Sequence, residues 1–243
     1  MILEIESVAE GESMKTLIIV SHPELMESHT QRFLWESLPE QDVTWHHLEA
    51  VYPDGVIDVT AEQRLLKGHD RIVFQFPLYW YSSPPLLKAW QDAVLTEGFA
   101  YGRFGSQLVG KELQLVVATG VPEKDYQAGG LEQFTLPELM RPFQATAIKC
   151  QMQYFPLFVI SQFDYMSEQE RRKLLIQYRQ VLTGRLWGTL EEKEAWFEEE
   201  LTTLGKVHLS EDDCLQVDLL IQQLQTNREH LNDLNWTLQE MRE

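Results

Sequence analysis

Short runs of consecutive apolar residues alternate with stretches of three- and four-residue apolar spacing from position 16 to 184. Thr16-Leu17-Ile18-Ile19-Val20 is a run of the kind buried on both faces of a sheet. Comparable runs predict strands at 43–48, 71–76 (RIVFQF), 113–118 (LQLVVA) and 154–160. Between them lie helical patterns. One covers 28–38, with Phe33, Leu34 and Leu38 on one side. Thr60-Ala61-Glu62-Gln63 reads as a capping box opening a short helix that turns Leu65 and Leu66 inward. Pro84-Pro85 starts another, with Leu86, Leu87, Trp90 and Val94 on its buried face. A helix near 136–148 precedes the fifth strand. A second capping box, Ser167-Glu168-Gln169-Glu170, opens a closing helix whose stripe is Leu174, Leu175, Tyr178, Val181 and Leu182. Five strands, each followed by a helix, imply an α/β doubly wound parallel sheet covered on both faces.

The pattern changes after Gly184. A short helix is expected over 190–204, and Ser210-Glu211-Asp212-Asp213 looks like the cap of a long one. In that helix Val217, Leu220, Leu224, Asn227, Leu231, Leu234, Leu238 and Met241 alternate three- and four-residue steps, a heptad seam with one polar position. The seam needs a cover, either a partner or the chain's own helices.

Charge sharpens this division. The 243 residues carry a formal charge of −18. Segment 185–243 holds 14 Asp/Glu against 5 Lys/Arg, and residues 1–13 hold four Glu and no base. The expected organisation is a mobile extension over 1–13, a folded domain over 14–184 and an acidic α-helical C-terminal extension over 185–243. Such acidity argues against nucleic acid or anionic membrane as the main partner. No membrane-length apolar run or signal segment is seen, and Cys150 and Cys214 have no partner at metal spacing. Both cysteines read as buried, reduced thiols of a cytoplasmic protein.

Ligands of open parallel sheets bind beyond the carboxyl ends of the strands. Three loops leave such ends with unusual composition. In the first, 21–31, Ser28 and Thr30 stand at a helix N-terminus that favours a phosphate, and His22 can reach the same place. Its plain alternative is an ordinary serine cap with exposed histidines. The loop lacks the glycines of nucleotide-binding fingerprints. The second, Pro77-Leu78-Tyr79-Trp80-Tyr81-Ser82-Ser83, offers three consecutive aromatics, for a planar heterocycle or for a subunit contact. In the third, Ala118-Thr119-Gly120-Val121-Pro122, the glycine permits close backbone approach. Tyr101, in Gly98-Phe99-Ala100-Tyr101-Gly102, and Tyr126 are candidates for a pocket wall or for purely structural roles. His46, His47, His69, His208 and His230 show no metal spacing and read as surface or interface residues, so no metal is expected. There is no Gly-x-Ser-x-Gly elbow.

Four segments together resemble one family. They are Phe74-Gln75-Phe76-Pro77-Leu78-Tyr79-Trp80-Tyr81, Pro84-Pro85-Leu86-Leu87-Lys88-Ala89-Trp90, Gly98-Phe99-Ala100-Tyr101-Gly102 and Pro142-Phe143-Gln144-Ala145-Thr146. In this order they are similar to the flavodoxin-like NAD(P)H dehydrogenase (quinone) family, over residues 15–184. Its members include mammalian-type quinone reductases, bacterial general stress oxidoreductases and ancillary subunits of potassium-efflux systems. The resemblance implies a flavodoxin-like strand order and a homodimeric flavoprotein that passes two electrons from NAD(P)H to a quinone. By position, His22, Ser28, His29, Thr30 and Gln31 should hold the phosphate side of FMN, with FAD as the alternative cofactor. Pro77, Leu78, Tyr79, Trp80, Tyr81, Thr119, Gly120 and Val121 should frame the ring. Tyr101 should line the neighbouring subunit's substrate pocket, and Tyr126 should assist charge development. Two departures stand out: Val121 replaces a family glycine, and no histidine lies between Thr119 and Pro156 to accompany Tyr126. The competing expectations are a regulatory subunit docking on a membrane potassium-efflux transporter and a one-electron flavodoxin carrier.

Overall fold

The computed structural model describes residues 14–185, 187–204 and 210–241. The expected mobile extension over 1–13 lies outside the described residues, as does His208. The chain forms two compact units, one ending at Thr183 and the other beginning at Gly184.

In the first unit β1 (Thr16–Val20) has no exposed residue because both its faces are covered. The following elements are α1 (His29–Glu36), β2 (Val43–His47), α2 (Leu48–Val51), α3 (Val59–Lys67), β3 (Arg71–Pro77) and α4 (Pro85–Val94). Then come β4 (Glu112–Thr119), α5 (Leu136–Leu139), α6 (Arg141–Lys149), β5 (Gln153–Tyr154), β6 (Phe158–Ser161) and α7 (Glu168–Thr183). Every pairing is parallel, in the order β2-β1-β3-β4, with β5 and then β6 alongside β4. The expected five-strand topology is present, its last strand divided by Phe155, Pro156 and Leu157. Proline has no N–H for the ladder, which explains the gap. The chain steps from β1 to β2 on one side and then returns across β1 to β3 on the other, so a crevice opens at the carboxyl edge between β1 and β3. The core packs Leu17, Ile19, Phe74, Phe76, Trp90 and Phe143 between sheet and helices.

Local chemistry corrects several expected boundaries. Asp58, not Thr60, caps α3, accepting the Ala61 N–H at 3.0 Å, and Thr60 lies inside the helix. Glu62 is therefore free to enter the core, 2% exposed. Its carboxylate accepts the Tyr52 hydroxyl at 2.6 Å and Trp90 Nε1–H at 2.8 Å, with His46 Nε2 at 2.9 Å. The helix expected over 136–148 breaks at Met140, because Pro142 restarts it as α6. The Ser167 capping box is present: Glu170 N–H donates to Ser167 Oγ, and Ser167 N–H to the Glu170 carboxylate.

The second unit is a helical pair, α8 (Leu190–Leu204) and α9 (Glu211–Glu240). Ser210 caps α9 by accepting Asp213 N–H at 3.2 Å. Arg228 pairs with Glu194, and Gln225 bonds Glu198. The seam differs from the expected one. Cys214, Val217, Ile221, Leu224, Arg228 and Leu231 are the more buried positions, while Leu220, Asn227, Leu234, Leu238 and Met241 are exposed. The contact has rotated from the a/d towards the a/e face, because the aliphatic Ile221 and the Arg228–Glu194 pair lie on that side.

Candidate active site

A cavity of about 190 Å³ opens at the carboxyl edge of the sheet. Four loops build it: His22, Ser28, Thr30 and Gln31 after β1, Pro77 after β3, Ala118, Thr119 and Gly120 after β4, and Gln162, Phe163, Asp164 and Tyr165 after β6. Seven of the residues singled out in the sequence thus meet in one place. Ser28 is the N-cap of α1, accepting the Gln31 N–H at 3.2 Å. Arg32 N–H closes on the Ser28 carbonyl, so the N–H groups of His29 and Thr30 have no carbonyl to reach within the helix. The positive end of the helix dipole points the same way.

Gly120 tests whether this cradle suits a flat ligand. A Cβ built there meets no atom within 4 Å. Neither crowding by the protein nor a left-handed backbone requires glycine here. The space a side chain would take is open, and it borders the cavity. Thr119 turns its hydroxyl onto the Val121 carbonyl at 2.8 Å, which tightens this turn and leaves Val121 outside the cavity.

His22 enters the cavity already oriented. Its Nδ1 accepts the Glu24 N–H at 3.1 Å, so Nε2 carries the proton as a donor. Burial holds its pKa below the ordinary value, although Glu49 works in the opposite direction. Beneath it, Glu49 accepts the Ser21 hydroxyl at 2.6 Å and the His22 backbone N–H at 3.0 Å. His47 Nε2 sits 2.9 Å from the His22 carbonyl and 3.3 Å from Glu49. Burial alone would lower His47, but its hydrogen bonds to Glu49 and to the His22 carbonyl outweigh burial and raise it. Burial would raise Glu49, yet donors from His47, Ser21 and His22 bring it below the carboxylate norm. Of the surface or interface placement expected for His46, His47 and His69, the free surface position is corrected: all three are half-buried and hydrogen-bonded or paired within the chain. The first two are 13% and 18% exposed, and His69 bonds Leu65 O and Thr44 Oγ1, both at 2.8 Å.

A raised histidine contributes stability that is present below its unfolded pKa near 6.5 and is lost as pH rises through the folded value. Glu49 contributes above about 4.5. His47→Gln should therefore lower stability by about 1 kcal/mol near pH 6, and the deficit should shrink by pH 9. Urea midpoints at the two pH values check this.

The aromatic loop is a tight turn. Tyr79 and Ser82 exchange two backbone hydrogen bonds of 3.0 Å, forcing Trp80 and Tyr81 to φ of 45° and 63°. Bulky residues rarely occupy this left-handed region, and such strain concentrates at functional sites. Trp80 is 93% exposed, so its own packing does not hold it there. Trp80→Asn should stabilise the cofactor-free protein by about 1 kcal/mol while weakening cofactor retention. A melting curve and a ligand titration on the same variant check both halves.

The other expected residues lie apart from the cavity. Leu78 packs on the core. Tyr79 is edge-on to the cavity residue His22, with ring centres 6.4 Å apart. Tyr81 donates to Glu132 at 2.9 Å. Tyr126 joins the same group, its pKa raised by burial and then by Glu132 and Tyr81. His29 does not line the cavity itself, but its Nδ1 lies 2.8 Å from the carboxylate of Asp164, which does. Tyr101 packs beside the core with the Lys149 ammonium 5.2 Å from its ring centre. The sequence reading overlooked Gln162–Tyr165, although this loop also leaves the carboxyl end of a strand and carries two aromatics. Gln162 is held at φ 51°, a second sign of a constrained site. Among the described residues no cluster has the makings of a metal site. Both cysteines are free, and Cys214 is half-buried rather than buried.

A profile of the family described as "Flavodoxin-like fold" matches residues 14–182. The chain belongs to this family. Among its relatives, an uncharacterized NAD(P)H oxidoreductase of Bacillus subtilis, YrkL, is 53% identical over 146 residues, which are 60% of this chain and 84% of the relative. Among solved flavodoxin-like structures, an NADPH-quinone reductase from P. pentosaceus superposes with a TM-score of 0.66 at 47% identity, covering 70% of this chain and 98% of that one. General stress protein 14 of Treponema denticola, solved in complex with FMN, gives 0.62 at 42% identity, covering 68% and 94%. No described helix is long and apolar enough to cross a membrane.

Proposed function

We propose that this chain is an NAD(P)H:quinone oxidoreductase that binds FMN in the carboxyl-edge cavity and works as a homodimer. The observation that carries the reading is the cavity itself: hydrogen-bond donors at one end and the open space above Gly120 at the other. FMN supplies the redox chemistry when bound, accepting hydride from a nicotinamide and delivering two electrons to a quinone. The protein contributes position and electrostatics.

Ser28, Thr30, Gln31 and the start of α1 hold the phosphate end, and His22 donates through Nε2. A cavity of about 190 Å³ is smaller than the roughly 300 Å³ of an enclosing ligand pocket. The 118–121 turn and the Pro77–Tyr81 loop at the rim would therefore hold the ring. The Tyr79–Ser82 hydrogen bonds keep Trp80 and Tyr81 outside the core, where they would cover a bound ring and exclude water. Tyr126, like any phenol, is protonated at neutral pH, burial pushes its pKa further up, and its hydroxyl remains a donor. Tyr101 acts across the dimer contact, on the neighbouring subunit's substrate side.

Because nicotinamide and quinone use the same exposed face in turn, initial-rate plots against both substrates should give parallel lines. Intersecting lines would show that both bind together and would contradict this arrangement.

A further inference from the structure

Three polar side chains cross the interior beneath the cavity, and the hydrogens they carry fix one another's direction. Tyr178 on α7 is completely buried, and its hydroxyl bonds Gln75 Oε1 at 2.7 Å. Gln75 on β3 is also completely buried, and its Nε2 bonds Gln31 Oε1 at 2.7 Å. Gln31, in the first turn of α1, is 1% exposed and lines the cavity.

A phenol carries one hydrogen, and in a dry interior that hydrogen needs an acceptor. Burial keeps the Tyr178 hydroxyl protonated, and Gln75 is its hydrogen-bond partner. Gln75 must then turn its carbonyl to Tyr178 and its NH₂ to Gln31. Gln31 in turn must direct its carbonyl inward and its NH₂ to the cavity. Reversing any one amide would set two hydrogens or two lone pairs against each other. Packing alone does not call for this chain, since a phenylalanine and two apolar residues would fill the space without desolvating three polar groups.

We propose that Tyr178 and Gln75 are positioning residues for anion recognition, locking the Gln31 amide with its NH₂ in the cavity as a donor to the phosphate of the bound flavin. This rests on the flavin reading above. Neither residue touches the ligand, and their effect passes through Gln31.

The test titrates the full-length apoprotein with FMN and with riboflavin, which lacks the phosphate, following flavin fluorescence. Wild type should bind FMN more tightly than riboflavin. Tyr178→Phe keeps the ring and removes the hydroxyl. The FMN Kd should rise about tenfold, the loss of one well-placed hydrogen bond to a charged acceptor, with riboflavin unchanged. Gln75→Met breaks the chain one link closer to the cavity and should give the same phosphate-specific loss. It also serves if Tyr178→Phe fails to fold. Equal weakening of both flavins, or an unchanged preference for FMN in the folded variants, overturns the proposal while leaving the flavin reading intact. Wild-type apoprotein that binds neither flavin overturns both.

Discussion

Ser28→Asp should leave the fold intact and cost roughly 1,000-fold in FMN affinity. Aspartate caps a helix as well as serine does, so it should accept the Gln31 N–H that Ser28 Oγ now accepts. The start of α1 should survive, and the melting temperature of the apoprotein should stay near that of wild type. What changes is the charge at the mouth of an anion site. Two like charges about 4 Å apart repel by about 4 kcal/mol at an effective dielectric constant of 20. That corresponds to roughly three orders of magnitude in binding. Riboflavin should be far less affected. A variant that retains FMN would show that the phosphate is held elsewhere.

Gly120→Leu tests the other end of the cavity. Glycine in a loop is often required by a positive φ or by a crowding neighbour, and a larger residue then damages the fold. Neither applies at Gly120, where an added Cβ meets nothing within 4 Å. Leucine should therefore fold normally and occupy the space left for the ring. Steric displacement of about 3 kcal/mol would weaken the flavin by roughly 100-fold. Circular dichroism and a flavin titration separate the outcomes. Full flavin affinity would place the ring away from the 118–121 turn, and an unfolded variant would show that the glycine serves the fold.

The sequence disclosed those parts of the structure that arise from local patterns. A strand with both faces covered must be apolar throughout, which made 17–20 legible. The Pro-Pro start of α4 and the capping box at Ser167 are equally local. The errors came where one interaction overrode another. Asp58 competed with Thr60 for the cap of α3 and won, because starting there brings Glu62 to Tyr52 and Trp90. Pro156 divided the last strand, and Pro142 divided a helix. In α9, spacing alone could not distinguish Leu220 from Ile221 as the covered position, since α8 and its Glu194 decide that.

The cavity was partly legible for the same reason. Strand ends can be found from apolar runs, so the loops after β1, β3 and β4 could be named. The loop after β6 was overlooked although its strand was predicted, because Gln162–Tyr165 carries neither a glycine nor a run of three aromatics to mark it. Glu49 and His47 were missed as supports of His22, because β2 pairs with β1 only in three dimensions. The Tyr178–Gln75–Gln31 chain joins residues 103 and 44 positions apart, which no local pattern reveals. Tyr101 and Tyr126 stand outside the cavity of a single chain, and their assigned roles depend on the dimer and on a bound ring.

An absorption spectrum of the purified full-length protein, with mass identification of any released chromophore, bears on the whole account. The account predicts flavin bands, FMN as the released compound in one copy per chain, bleaching on anaerobic addition of NADH or NADPH, and recovery of colour when a quinone is added. A protein that stays colourless after incubation with excess FMN, or a bound flavin that neither nicotinamide reduces, would contradict it.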